Sequence, residues 1–254
     1  MLEVKNLSFA FKDFEVLKDI EFRAQKGQFV SILGNNGAGK STFLKCIARI
    51  LKPQSGVIVV DGKDIHRFSS NDLAKVVGYV PQRYVSTRLT VFESILIGRK
   101  PHFSGITPSK EDLQVVGSVI EKFGLKHLAF RYLDELSGGE MQKVVIARAI
   151  AQQPKILLLD EPINNLDLKN QVEVLSILKK LSKENGILVI SVLHDLNLAI
   201  RFSDHFVFIK DKSVFASGGR EIITPEIISN VYGIDIKVET SHDQLFVVPV
   251  IPAM

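Results

Sequence analysis

The apolar residues change period several times along this chain, and each change predicts an element. Near the start, Ile20, Phe22 and Ala24 alternate with polar or charged neighbours, so the first 33 residues read as short strands. Lys26-Gly27 makes a turn before Phe29-Val30-Ser31-Ile32-Leu33, a run that reads as a buried strand. Over 41–51 the spacing becomes three and four. Phe43, Leu44, Ile47, Ile50 and Leu51 share one helical face, closed by Pro53 and Gly56. Residues 57–62 predict a hairpin-like stretch and 76–80 a strand ending at Pro81-Gln82.

From about 88 to 150 the pattern is helical throughout. Ser109-Lys110-Glu111-Asp112 is a capping box, and Leu113, Val116, Ile120 and Phe123 repeat at helical spacing behind it. From Ile156 strand and helix alternate again. Buried strands at 156–159 and 187–193 flank a helix with Leu168, Val172, Leu175, Leu178 and Leu181 on one side, stopped by Asn185-Gly186. Thr224-Pro225-Glu226 starts a last helix. The expectation is an α/β fold: a parallel sheet covered on both faces, with a helical lobe inserted at 88–150 and one domain over 1–254.

Composition narrows the classes. Of 254 residues 46% are hydrophobic and 24% charged, an ordinary globular mix. Net charge is +4, enough to suit phosphates without demanding nucleic acid or an acidic membrane. A single cysteine, Cys46, excludes a disulfide framework or a cysteine-built metal site. The start, Met1-Leu2-Glu3-Val4-Lys5, has no apolar run for a signal peptide, and no stretch nears membrane-spanning length. The expected place is the cytosol, with any membrane role reached through a partner.

The chemistry concentrates in three places. Gly34-Asn35-Asn36-Gly37-Ala38-Gly39-Lys40-Ser41, followed by Thr42, stands between a buried strand and an amphipathic helix and fits the phosphate-loop pattern. Its glycines let several N–H groups point inward and the helix start adds a positive end. Lys40 would neutralise the β- and γ-phosphates of a nucleotide, and Ser41 would ligate Mg²⁺. Second, Ile156-Leu157-Leu158-Leu159-Asp160-Glu161 carries two carboxylates to the end of a strand, where Asp160 is placed to hold Mg²⁺ through its water shell and Glu161 to polarise water. Third, Leu136-Ser137-Gly138-Gly139-Glu140 leads into a helix and by itself reads as a helix cap.

Together these residues resemble the ATP-binding subunits of ABC transporters over nearly the whole chain. The phosphate loop matches Walker A, residues 156–160 Walker B, and Glu161 the catalytic glutamate. Ser137, Gly138, Gly139 and Glu140 match the signature, with Glu140 where the family has glutamine. Gln82 matches the Q-loop, Asn165-Leu166-Asp167 the D-loop, and His194 the switch histidine. Phe11 stands where the family stacks an aromatic ring on adenine, with Phe9 and Phe14 as neighbours that could take its place. The resemblance implies a P-loop core with a mainly parallel sheet, an N-terminal antiparallel β subdomain and the inserted helical lobe. It also implies ATP and Mg²⁺, the latter held by Ser41, Gln82 and Asp160. His194 would reach the γ-phosphate. A head-to-tail homodimer would close the signature of one copy over ATP on the other, with Asp167 in the D-loop.

A finer likeness is to ATPases of iron-siderophore, haem and cobalamin importers. It rests on Ile97-Gly98-Arg99-Lys100-Pro101, on Val192-Leu193-His194-Asp195-Leu196-Asn197, and on 224–226 through Val231-Tyr232-Gly233. That implies two permease subunits, an external solute-binding protein, a seat on the cytoplasmic face of the membrane, and no nucleic acid. Importers of molybdate-type anions share much of this pattern, and outside transport the alternative is a soluble ATPase of the iron–sulfur assembly kind, which is also a single compact unit. Two departures stand out: Ile163 where the family usually has threonine, and Phe11 for the commoner tyrosine. His66, His102, His127, His205 and His242 show no ligand spacing, Cys46 reads as a small core residue, and Lys179, Lys180 and Lys183 read as a solvated helix face.

Overall fold

The computed structural model describes residues 1–84, 88–164, 166–241 and 244–250. The opening alternation makes two strands longer than expected, β1 (Leu2–Phe11) and β2 (Phe14–Ala24), which pair antiparallel. The apolar run is β3 (Phe29–Leu33), buried at every position. Helix α1 (Lys40–Ile47) follows, then β4 (Ser55–Val60) and a two-residue β5 (Lys63–Asp64). α1 is shorter than the 41–51 expected. Its apolar face continues in sequence, but the chain leaves the helix at Ala48 and Arg49 turns left-handed, leaving Ile50 exposed.

Next come α2 (Ser70–Val76) and β6 (Val77–Val80), and then three helices: α3 (Val91–Ile97), α4 (Lys110–Lys122) and α5 (Gly138–Ala151). Between Val91 and Ala151 the described residues form only helices, 3₁₀ turns and connections, with an isolated bridge from Thr90 to Tyr132 at the edge. The capping box at Ser109 forms with Asp112 as its third residue. Asp112 also pairs with the buried Arg99 at 2.9 Å, and Arg99 Nη1 donates to the Ala151 carbonyl and to Gln153 Oε1. Arg99 is therefore a staple joining the end of α3, α4 and the end of α5. Leu113, expected in the apolar stripe, is exposed; Val116, Ile120 and Phe123 are buried as expected, and Val119 joins them.

The chain then runs β7 (Ile156–Asp160), α6 (Leu168–Asn185), β8 (Leu188–Val192), α7 (Leu196–Phe202), β9 (His205–Lys210) and β10 (Ser213–Gly218). It ends with α8 (Pro225–Tyr232) and a hairpin of β11 (Ile236–Ser241) and β12 (Gln244–Pro249). On α6 the buried stripe is Val174, Leu175, Leu178 and Leu181. Leu168 and Val172, placed on it by spacing, face solvent. Lys179 and Lys183 are not simply solvated: both pair with Asp204, at 2.6 and 2.9 Å.

The strands form a four-stranded antiparallel sheet, β2-β1-β4-β5, and a six-stranded sheet, β10-β9-β3-β8-β7-β6, parallel except for β10. Alternate side chains of the parallel strands feed two cores. Phe29, Leu33, Leu157, Leu159 and Val189 join the core shared with the helices. Val30, Ile32, Leu158, Ile190 and Val192 join the one shared with α1 and the antiparallel sheet. At ~1.5–3 kcal/mol for each fully buried large apolar side chain, this two-sided burial fixes the register of the central strands. No helix among the described residues is long and apolar enough to cross a membrane.

Candidate functional site

Four neighbouring parallel strands, β3, β8, β7 and β6, point their carboxyl ends the same way. The segment leaving β3 is the glycine-rich loop, the one leaving β8 holds His194, β7 ends in Asp160 before Glu161, and β6 leads to Gln82. Sheet order thus collects on one edge residues far apart in sequence, at the end of a parallel sheet where ligands bind.

The loop is built around close backbone approaches. A Cβ on Gly34 would collide with the Ile209 carbonyl, and one on Gly39 would sit 2.7 Å from Leu17 Cδ2. Gly34 and Gly39 have φ of 139° and 97°, values that favour glycine. Beyond Gly39, α1 begins at Lys40, whose side chain is buried, with Nζ donating to the Gly34 carbonyl at 2.7 Å and the Asn35 carbonyl at 2.8 Å. Burial lowers the Lys40 pKa from its ordinary value, while Glu161 and Asp160 oppose the fall. A small cavity over the loop is bounded by Asn36, Gly37, Gly39, Lys40, Ser41 and Thr42, with Val16 and Glu161 at its walls. Ala38 N–H donates back to the Asn35 carbonyl at 3.2 Å, closing the turn.

Ser41 Oγ donates to Asp160 Oδ1 at 2.6 Å, and Tyr79 Oη to Asp160 Oδ2 at 3.3 Å. Burial, with Asp160 beside it, pushes the Tyr79 hydroxyl pKa up. The donor set here is a hydroxyl and a carboxylate, hard oxygen ligands that suit Mg²⁺ when phosphates and water complete its shell. Among the described residues no three His, Cys, Asp or Glu gather to hold a metal by themselves.

Glu161 is the hub. It sits at φ 54°, its side chain mostly buried, and both carboxylate oxygens are engaged. Gln82 Nε2 donates to Oε2 at 2.5 Å, Asn164 Nδ2 donates to the same oxygen, and His194 Nε2 lies 2.8 Å from Oε1. His194 is held just before the cap of α7, where Asp195 accepts the Leu198 N–H at 2.9 Å. Asn164, Tyr79 and Val16 were not legible as site residues. Asn164 lies three residues past Glu161, a spacing that a turn makes adjacent. Tyr79 faces Asp160 only through the pairing of β6 with β7.

The remaining candidates stand apart from the phosphate loop. Ser137 caps α5, its Oγ donating to Glu140 Oε2 at 2.7 Å; hydrogen bonds from the Ser137 hydroxyl and backbone hold the Glu140 carboxyl below its usual range. None of 137–140 lines the loop cavity; Gly138 instead borders a separate cleft with Gln82, Gln142, Glu161 and Asn164. A Cβ on Gly139 would lie 3.2 Å from Asn170 Nδ2. Asp167 caps α6, accepting the Asn170 N–H at 2.8 Å, and Asn165 lies outside the described residues. Phe11 is half exposed, edge-on to Phe9 with ring centroids 4.7 Å apart. Phe9 is buried, which removes it as a stacking surface, and Phe14 is 70% exposed. His102 and His205 are structural, bonding Gln152 O and Ser217 Oγ; His242 lies outside the described residues. Cys46 is a buried core residue, its thiol pKa pushed up to about 12 by burial.

A glycine-rich cradle at a helix start, a buried lysine within it and a carboxylate strand end beside it define a P-loop nucleoside triphosphatase. The ABC transporter family model matches residues 17–164, and the chain belongs to that family as an ABC ATPase. It is 38% identical over 242 residues to the iron(3+)-hydroxamate import ATP-binding protein FhuC of Bacillus subtilis, covering 94% of this chain and 90% of that protein. An ABC transporter assigned to the metal-chelate type, solved in an inward-facing conformation, superposes with a TM-score of 0.85 at 31% identity, covering 99% and 98% of the two chains. A dimeric ATP-binding cassette in a post-hydrolysis state with ADP and Pi superposes at 0.77 and 31% identity, covering 86% and 98%.

Proposed function

We propose that this chain is the ATP-hydrolysing subunit of an importer for a metal chelate of the iron-siderophore, haem or cobalamin kind. The observation that carries the ATPase reading is the convergence of Gln82, His194 and Glu161 beside the Lys40–Ser41–Asp160 group. The chelate reading is supported by the likeness to the hydroxamate-import ATPase and to the metal-chelate type transporter.

In this reading Lys40 leaves the Gly34 and Asn35 carbonyls for the β- and γ-phosphates, cradled by the N–H groups of the residues that line the loop cavity, Asn36, Gly37 and 39–42. The adenine stacks on Phe11. Ser41, Asp160 and Gln82 would hold Mg²⁺, whose charge offsets that of the phosphates. Glu161 takes a proton from the attacking water, and His194 turns from Glu161 Oε1 to the γ-phosphate. That exchange frees the carboxylate, because both its oxygens are engaged at rest.

The signature residues Ser137, Gly138, Gly139 and Glu140 act on a second copy. Their absence from the lining of the loop cavity supports this, as does the dimeric cassette that the chain resembles. Asp167 would stand at that interface in the D-loop. ATP closes the dimer and hydrolysis reopens it. On the helical lobe Phe130 is 83% exposed and stacks on Phe92, an apolar surface that supports docking of a permease subunit. Two ATPase copies would serve two permease subunits at the cytoplasmic membrane face, fed by an external solute-binding protein.

The test is to isolate the chain from its native membranes in mild detergent. A polytopic permease should accompany it, and ATP turnover of the complex should rise with a ferric-chelate-loaded binding protein. Recovery with a non-membrane scaffold would overturn the importer reading.

A further inference from the structure

We propose that helix α8 is an outer clamp on the phosphate loop and that Tyr232 is a positioning residue for nucleotide binding. The inference rests on the reading that this loop binds ATP. Tyr232 Oη accepts the Gly34 N–H at 3.2 Å, and Asn35 Nδ2 donates to the Val231 carbonyl at 2.9 Å. Gly34 and Asn35 are the two residues whose carbonyls hold the Lys40 ammonium on the inner side. The first turn of the loop is thus gripped from both sides, by a helix 196 to 198 residues away in sequence and by its own lysine.

The two grips differ in what ATP does to them. Lys40 must trade its carbonyls for phosphate oxygens, whereas nothing in that exchange touches Tyr232 or Val231. With the lysine gone, the outer contacts and the Ala38 N–H on the Asn35 carbonyl keep Gly34 and Asn35 in place, and of these only the outer ones tie the turn to the rest of the fold. They matter because fixing one backbone residue costs about 1–2 kcal/mol, and a glycine-rich loop has more freedom to lose than most. A loop ordered before the ligand arrives does not charge that cost to binding.

The clamp itself is anchored. Ile228 and Val231 of α8 are fully buried in the core, Thr224 caps its start, accepting the Ile227 N–H, and Gly233 ends it at φ 72°. Burial pushes the Tyr232 hydroxyl up to about 12, so it stays protonated and uncharged at ordinary pH. The Tyr232 hydroxyl therefore acts as a neutral acceptor and leaves the positive field of the loop intact.

The test uses the full chain with Mg²⁺, measuring ATP affinity by calorimetry, hydrolysis kinetics and melting. Tyr232→Phe keeps the ring and removes the acceptor. It should raise Kd and KM for ATP about 3- to 10-fold, the range for one hydrogen bond, with kcat at saturating ATP within about twofold. Asn35→Ala, which removes the other contact, should shift Kd in the same direction. Unchanged Kd in both variants would overturn the clamp, and so would a fall in melting temperature and kcat at constant KM, the mark of a packing role. Failure of the wild-type chain to bind ATP at all would instead remove the nucleotide-site reading on which the clamp stands.

Discussion

The Ser41 hydroxyl donates to Asp160 Oδ1 across 2.6 Å, joining the first turn of α1 to the end of β7 over 119 positions of sequence. This bond places a hydroxyl and a carboxylate at one point beside the phosphate loop, which neither segment could do alone. Ser41→Ala should therefore lower Mg²⁺-dependent hydrolysis by roughly 10²-fold or more, while nucleotide binding measured without divalent cation changes little. A Mg²⁺ titration of activity in the variant checks it, and an unchanged Mg²⁺ requirement would remove Ser41 from the metal's shell.

Lys40→Ala should weaken ATP binding at least about tenfold, because the triphosphate then has no ammonium to pair with in the cradle. The fold should survive, since the ammonium bonds only loop carbonyls. Calorimetry with circular dichroism as a control reads both. Unaltered affinity would contradict the assignment.

The helical lobe carries a stability prediction. Arg99 and Asp112 are both almost fully buried and paired at 2.9 Å. Arg99→Met leaves an unpaired buried carboxylate and should cost about 3–5 kcal/mol in urea unfolding. The double variant Arg99→Met with Asp112→Asn, which keeps the acceptor for the cap at Ser109 and removes the stranded charge, should cost less than the single one. A double variant as unstable as the single one would mean that the stranded charge is not the source of the cost.

Much of this was legible in the sequence because the signals are local. The phosphate loop, the carboxylate strand end and the cap at Ser137 each rest on neighbours in the chain, and the buried runs of β3, β7 and β8 announce a sheet covered on both faces. What escaped depends on contacts between distant segments. The α1 stripe promised a helix through Leu51, yet Arg49 bends away to bond the carbonyls of Ile65 and Phe68. Nothing local to Lys179 and Lys183 tells of Asp204, and Tyr232 could be matched to a family pattern without revealing that it touches Gly34. The hairpin of β11 and β12 escaped because its strands are half exposed and carry a weak alternation.

Asp204 also gives a pH prediction. Burial works to raise its carboxyl pKa, but Lys179, the Phe29 N–H and Lys183 outweigh it and hold the group below its usual range. A carboxyl whose folded pKa lies below the unfolded one contributes fully above the unfolded value and loses that contribution as pH falls through the folded one. Asp204→Asn should thus lower the melting temperature near pH 7 by about 2–4 °C, a shift worth ~1 kcal/mol for a partly exposed pair. The gap to wild type should narrow below about pH 4. A gap that stays constant into acid would show that charge pairing is not what Asp204 supplies.

The role of Glu161 is decided by Glu161→Gln in the full chain, followed by ATP binding, single-turnover hydrolysis and sizing chromatography with Mg²⁺. Glutamine keeps the shape of the hub but cannot accept a proton from water. ATP affinity should stay within about twofold of wild type, hydrolysis should slow by roughly 10²–10⁴, and the chain should elute as an ATP-dependent dimer. Hydrolysis at the wild-type rate would contradict that role, because the carboxylate that Gln82, Asn164 and His194 converge on would then not be the group that activates water.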